Sequence, residues 1–119
     1  MTKQELMQRT KAYALRVIRT VQALPSDSLA DVMGRQLLRA GTSVGANYRA
    51  ACRAKSTADF INKLKIVEEE CDESLYWMEL LVESESIPLR RLAALMQEGD
   101  EILSIIVSAL KTTRSQRLA

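Results

Sequence analysis

The residues best suited to catalysis or metal binding form a short acidic run: Glu68, Glu69, Glu70, Asp72 and Glu73. Carboxylates on the inward faces of a helical bundle can hold metal ions, but di-iron bundles complete their sites with Glu-x-x-His pairs. The 119-residue chain contains no histidine, and no nucleophile or phosphate-binding loop accompanies the acids. The sequence therefore predicts no catalytic site, no metal site and no cofactor, and it favours a protein that is not an enzyme.

The two cysteines are the other reactive groups. Cys52 and Cys71 lack the CxxC spacing of zinc and redox sites. Both fall at or near apolar helix positions, where a free cysteine usually packs as a small hydrophobe. Residues 1–11 are too polar for a signal peptide, and no run of about 18 apolar residues is present. We therefore expect reduced thiols in a cytoplasmic protein that does not enter a membrane.

The net charge of +2 hides a strong asymmetry between the two halves of the chain. Residues 1–65 hold 12 Lys/Arg and 4 Asp/Glu, whereas residues 66–119 hold 5 and 11. If the helices are antiparallel, basic and acidic helices lie side by side and much of this charge is paired internally. The alternative is a basic patch that stays free for nucleic acid. The candidate contacts for such a patch are Arg49, Arg53, Lys55, Lys63 and Lys65.

Four amphipathic helices must position these groups. Apolar periodicity predicts helices at about 2–24, 29–53, 57–84 and from residue 89 onward, with fraying from Arg114 to Ala119. Ser26 or Ser28 is expected to cap the second helix and Ser56 or Thr57 the third. Short connections between four helices predict an all-α, up-and-down antiparallel four-helix bundle that forms a single domain over residues 1–119. An apolar flank on the fourth helix, formed by Leu95, Ile105 and Val107, indicates a subunit surface.

The second helix contains an unusual interior, residues 39–51, in which Gly41 and Gly45 interrupt an otherwise regular apolar period. Each glycine costs the helix about 1 kcal/mol relative to alanine. We interpret the loss of side-chain volume as close helix packing, with the third helix as the expected partner. A backbone surface that is offered to a ligand or another protein is the alternative.

Polar residues at the same level predict a structural polar network. A hairpin that turns near Lys55 places Arg39 close to Asp72 and Glu73. The expected members of the network are Arg39, Ser43, Asn47, Glu70 and Glu73. Its expected role is to set the register of the two helices, because buried ion pairs contribute little net stability.

Three segments carry a resemblance to a known family. They are QLLRAGTSVGANY at residues 36–48, AKS and DFIxKL within residues 54–64, and ExxESxYWxxLL at residues 70–81. Their order and spacing resemble the signature of the four-helix-bundle family named for the 23S rRNA intervening-sequence protein. The similarity is close over residues 35–82 and looser in the flanking helices.

The resemblance implies a bundle that assembles as a ring, a homopentamer, with no known enzymatic activity. It also connects the chain to a related branch, the accessory proteins of diversity-generating retroelements, which bind nucleic acid and a reverse transcriptase. The expected function is therefore a non-enzymatic cytoplasmic oligomer that acts as an interaction scaffold, with itself as first partner. The alternative is an accessory module that binds RNA or DNA through a basic rim, where repetition around the ring adds avidity. Another protein is a further candidate partner.

Overall fold

The structure is a computed structural model that describes residues 1–118, nearly all of them helical. The helices are α1 (Lys3–Gln22), α2 (Ser28–Ala51), α3 (Thr57–Glu83) and α4 (Leu89–Leu118). No strand occurs among the described residues, and the predicted all-α four-helix architecture is confirmed. The expected fraying is wrong for residues 114–118, because α4 continues to Leu118, and Ala119 lies outside the described residues.

Three of the helices begin at a side chain that accepts a first-turn N–H group. The N-caps and the N–H groups that they bind are Thr2 with Glu5 (3.0 Å), Asp27 with Ala30 (2.8 Å) and Ser56 with Asp59 (3.1 Å). The Ser56 cap is as predicted. The expected serine cap of α2 is wrong, because the Asp27 carboxylate takes this position and its charge suits the positive end of the helix.

The end of α3 forms a Schellman motif that turns the chain toward α4. The N–H of Ser86 donates to the carbonyl of Leu81 (3.0 Å), and the N–H of Glu85 donates to that of Val82 (3.0 Å). The motif needs one residue in the left-handed backbone conformation, and Glu85 adopts it with φ of 62°. Glycine usually occupies this position because a side chain there is strained.

The helices contact one another in the order of an up-and-down bundle, in a body of 51 × 21 × 20 Å. Each helix packs against the next in sequence, and α1 closes the circle against α4 with the fewest contacts of the four pairs. Within residues 1–118, no Cα atom of α1 lies within 8 Å of one in α3, and none of α2 lies within 8 Å of one in α4. These diagonal pairs therefore turn their outer faces in opposite directions.

The glycines of α2 lie against α1, which corrects the expectation that α3 is their close partner. A Cβ on Gly41 would stand 2.8 Å from both methyl groups of Val17. A Cβ on Gly45 would stand 3.3 Å from the backbone of Thr10. The two glycines thus make room for the backbone and branched side chains of α1, whereas the larger α2 residues Leu37 and Val44 are fully buried in the core.

Two expectations about individual apolar positions are also wrong. Leu29 and Val32 lie mostly exposed on the first turns of α2, although the period places them inward. Leu95, expected on a subunit surface, is buried within the chain itself. Ile105 and Val107 are half-buried. The apolar period alone therefore predicts which face of a helix is buried, but not which residues at the margins of that face are exposed.

Candidate functional site

Arg39 on α2 joins two acidic residues one turn apart on α3. Its guanidinium donates to the Glu70 carboxylate (3.0 Å) and to the Glu73 carboxylate, and these two ion pairs raise the pKa of Arg39. The Arg39 side chain is about half exposed, at 49 %. The structure thus places Arg39 beside Glu70 and Glu73, while Asp72 is exposed rather than beside Arg39 as expected.

The other two members of the expected network bond to their own helix. Ser43 Oγ donates to the carbonyl of Arg39 (2.6 Å), and Asn47 Nδ2 donates to the carbonyl of Ser43 (2.8 Å). These bonds satisfy polar side chains inside α2 by linking successive turns. They do not connect Ser43 or Asn47 to the carboxylates of α3 within residues 1–118. The arrangement is therefore a bridge centred on Arg39 with a separate chain of bonds along α2.

A stronger ion pair joins α1 to α4 and was not anticipated from the sequence. Arg9 donates through Nε to Glu98 Oε2 (2.8 Å) and through Nη2 to Glu98 Oε1 (2.7 Å). Glu101 accepts a third bond from Arg9 at 3.1 Å. The Arg9 guanidinium holds the pKa of the Glu98 carboxyl below its usual range. Sequence could not pair them, because 89 positions separate the two residues.

A polar contact crosses the centre of the bundle. The hydroxyl groups of Tyr13 on α1 and Ser74 on α3 are 2.8 Å apart, and both residues are fully buried. Ser74 Oγ also donates to the carbonyl of Cys71 (2.7 Å). Gly99 on α4 leaves the space for this contact, since a Cβ there would stand 2.8 Å from the Tyr13 hydroxyl. Burial raises the pKa of Tyr13 and raises that of Cys71 to about 12, so both groups remain neutral at ordinary pH.

The acidic run lies on the outside of the bundle. Glu69 and Asp72 are exposed, while Glu70 and Glu73 pair with Arg39. Across the described part of the chain, no three His, Cys, Asp or Glu residues are grouped closely enough to hold a metal ion. In residues 1–118, no helix is both long and apolar enough to cross a lipid bilayer.

The candidate nucleic-acid contacts divide among different surfaces. Arg49 and Arg53 line a groove of about 660 Å³ between α1 and α2, which we call the basic groove. Lys55 lines a different cavity at the end of the bundle. Lys63 binds Asp59 on its own helix (2.9 Å), and Lys65 lies exposed on α3. The structure therefore does not bring all five residues into one patch.

The basic groove contains a third cation, Lys11, that sequence reasoning did not select. Lys11 reaches the groove from α1, opposite Arg49 and Arg53, and no residue that lines the groove is acidic. Gly45 and Ala46, which carry little or no side chain, also line the groove. No local pattern in the sequence could have found Lys11, because only the pairing of α1 with α2 places it beside the α2 arginines.

Comparison with known proteins places the chain. A search of curated proteins gives no match. Among solved structures, a protein of unknown function from the S23 ribosomal protein family of Bacteroides thetaiotaomicron superposes with a TM-score of 0.87 at 36 % identity. The alignment covers 93 % of this chain and 99 % of that one. The family model described as 23S rRNA-intervening sequence protein matches residues 2–108. The match extends through α1, α2, α3 and most of α4, and the chain belongs to the 23S rRNA-intervening sequence protein family.

Proposed function

We propose that the protein is a non-enzymatic oligomeric scaffold whose copies associate head to tail. The observation that carries this proposal is the opposite charge of two outer faces that point in opposite directions. One face belongs to α3, and the other is formed by α1 with the adjoining edge of α2.

The face of α3 is acidic and partly apolar. Its exposed carboxylates recur at helical spacing: Glu69, Asp72, Glu79 and Glu83. Ile66 and Tyr76 lie among them with 42 % and 53 % of their surface exposed. An exposed aromatic and an exposed aliphatic residue within a charged border resemble the composition of a protein interface.

The α1–α2 face is basic and also carries exposed apolar residues. Its exposed cations are Lys11, Arg19, Arg35, Arg49 and Arg53. Leu15 on α1 and Val32 on α2 are about half exposed beside them. This face complements the α3 face in charge and matches it in apolar content, as specific interfaces require.

Two complementary faces on opposite sides of one chain favour a heterologous contact, in which each copy uses a different surface toward each neighbour. Repeated contacts of this kind close into a ring when the rotation between copies divides a full circle. The homopentamer expected from the family resemblance would contain five such contacts. The ring would then present the same surfaces repeatedly to a partner and raise avidity.

The experiment is a mass measurement in solution by light scattering and native mass spectrometry, over a range of protein and salt concentrations. We expect a defined oligomer that the double variant Asp72→Lys/Glu79→Lys converts to monomer. Mixing that variant with Arg35→Glu/Arg49→Glu, which carries the reciprocal change, is expected to restore association. Glu85→Lys, an exposed charge reversal outside the α3 face, is the control. A wild-type monomer at every concentration would eliminate the scaffold proposal.

The basic groove favours a second candidate, a nucleic-acid-binding accessory module. Lys11, Arg49 and Arg53 line it without any acidic residue, so phosphates could be contacted without reading sequence. The test is binding of structured RNA and single-stranded DNA at several salt concentrations. Replacement of Arg49 or Arg53 by Gln is expected to reduce the salt slope by roughly 0.7–0.9 each. Lys65→Gln on α3 is the matched control, and equal slopes in all variants would exclude the groove.

A further inference from the structure

A large cavity lies at the end of the bundle where α1 begins and α4 ends. It has a volume of about 1080 Å³ and is bordered by the first turn of α1, the α2–α3 turn and the last turns of α4. We call it the end cleft. The two helices α1 and α4, whose ends border it, make the fewest contacts of the neighbouring pairs. None of the surfaces used in the proposed function borders it.

The floor of the end cleft is apolar. Leu6 and Tyr48 form its base, each with only 4 % of its surface exposed. Phe60, Ile105 and Ala109 line it above them and are half-buried. A concave apolar floor of this volume is typical of a small-molecule site.

The rim of the cleft is cationic and rich in hydroxyl groups. Lys3, Lys55 and Arg117 line it, together with serines and threonines of α4, and none of the described residues that line it is acidic. The ammonium group of Lys3 lies 5.1 Å from the centre of the Phe60 ring, which holds a positive charge directly over the apolar floor. A charge in this position favours an anion that also has an apolar part.

The N-termini of α1 and α3 add N–H donors to the end cleft, and these donors also favour an anion. The caps Thr2 of α1 and Ser56 of α3 both line the cleft, and first-turn N–H groups lie next to them. The α2 and α4 dipoles point the other way at this end, so the net dipole of the bundle is small. The sign of the cleft therefore depends on the lysines and on local N–H groups rather than on the helix dipoles.

We propose that the end cleft binds a small amphipathic anion, such as a medium-chain or aromatic carboxylate, sulfonate or phosphate ester. The apolar part rests on Leu6, Tyr48 and Phe60, and the anionic group meets Lys3 and Lys55 at the rim. A cation of the same shape lacks any acidic partner there, and a neutral ligand gains only the apolar contact. The proposal is independent of assembly and of nucleic-acid binding.

The experiment uses the full chain and measures binding of 1-anilinonaphthalene-8-sulfonate by fluorescence, with competition by decanoate, decanol and decyltrimethylammonium. We expect decanoate to displace the dye best and the cation to displace it least. Lys3→Gln/Lys55→Gln is expected to weaken decanoate binding roughly tenfold, because it removes the two exposed cations that meet the carboxylate. Lys11→Gln/Lys65→Gln, which removes equal charge elsewhere, is expected to leave the affinity unchanged.

A second variant locates the site independently of charge. Ser108 is exposed on the wall of the cleft, so Ser108→Trp is expected to fill it without disturbing the core. Loss of decanoate binding with an unchanged melting temperature supports the proposal. Binding that persists in Ser108→Trp would overturn it, as would equal displacement by decanol or by the cationic competitor.

Discussion

Arg9 on α1 and Glu98 on α4 form a two-bond ion pair, with Nε–Oε2 and Nη2–Oε1 distances of 2.8 and 2.7 Å. The pair connects the first helix to the last across the least packed side of the bundle. Its side chains are only 24 % and 19 % exposed, so it is less screened by solvent than a surface pair. The ion pair therefore holds α1 against α4, the neighbouring helix pair with the fewest contacts.

This pair is expected to contribute a coupling energy of about 1 kcal/mol to the free energy of unfolding. The measurement is a double-mutant cycle with Arg9→Gln and Glu98→Gln, followed by urea denaturation. Glu101→Gln is the control, because Glu101 accepts only one longer bond and is half exposed. A coupling energy near zero would contradict the assigned role.

The same pair predicts how stability changes in acid. Because the pKa of Glu98 is lower in the folded chain, the unfolded chain binds more protons below roughly pH 4.3. The contribution of Glu98 is complete above that pH and is lost as the pH falls through the folded pKa. In Glu98→Gln, the free energy of unfolding is expected to fall less steeply as the pH drops below roughly 4.3. The same pH dependence in the variant and the wild-type protein would refute the prediction.

The raised pKa of the buried Cys71 thiol leads us to expect that the protein loses stability at alkaline pH. Its thiol has a pKa of about 12 in the fold, mainly because of burial, and about 8.5 in an unfolded chain. Below about pH 8.5 its stabilising contribution is complete, and between the two values the free energy of unfolding falls by up to about 1.4 kcal/mol per pH unit. Between about pH 8.5 and 10, the free energy of unfolding is expected to fall less steeply with pH in Cys71→Ala than in the wild-type protein. Tyrosines, with an ordinary pKa of about 10, contribute equally to both proteins, so the difference isolates Cys71. Cys52→Ala controls for the loss of a cysteine in general.

Gly41→Ala is expected to destabilise the protein by up to about 2 kcal/mol. The new methyl group would meet both methyls of Val17, a fully buried β-branched residue that cannot move aside, and overpacking costs about 1–3 kcal/mol. Improved helix propensity returns only about 1 kcal/mol.

Gly34→Ala is the matched control for that substitution. There the close atom is Cδ1 of Leu24, the movable end of a half-buried side chain, so helix propensity is expected to offset the contact. Chemical denaturation compares the two variants. A Gly41→Ala protein as stable as Gly34→Ala would refute the close approach of α1.

Glu85→Gly is expected to stabilise the protein by up to about 1 kcal/mol. The left-handed conformation at the end of α3 strains any residue with a Cβ, and glycine removes that strain. Ser84→Gly tests the neighbouring position, whose φ of −82° gives glycine no advantage, so that variant is expected to lose stability. Thermal melts with both changes in the same direction would contradict this explanation.

We propose that the Arg39 bridge sets the register of α2 against α3. Because Arg39 is about half exposed, Arg39→Leu is expected to change the melting temperature little but to alter assembly or helix pairing. Asn47→Leu, which removes only a bond within α2, is the comparison. An oligomeric mass of Arg39→Leu that is unchanged from the wild-type value would defeat the register proposal.

The sequence by itself determined the number of helices, their approximate ends and most of their buried stripes. It did so because apolar period, proline breaks and capping side chains act over a few residues and are visible locally. Ser56 was placed correctly as the cap of α3 for this reason. The family signature within residues 36–81 was visible in the same way.

Only the tertiary structure decided which helix covers which side of its neighbour. The glycines of α2 predicted that another helix packs closely against it, but their spacing does not show whether this helix is α1 or α3. The Arg9–Glu98 pair, the gathering of Lys11 with Arg49 and Arg53, and the end cleft all arise between segments distant in the chain. Such contacts depend on how four stripes of similar width are packed together, and this choice is made by the shape of whole helices rather than by any local pattern.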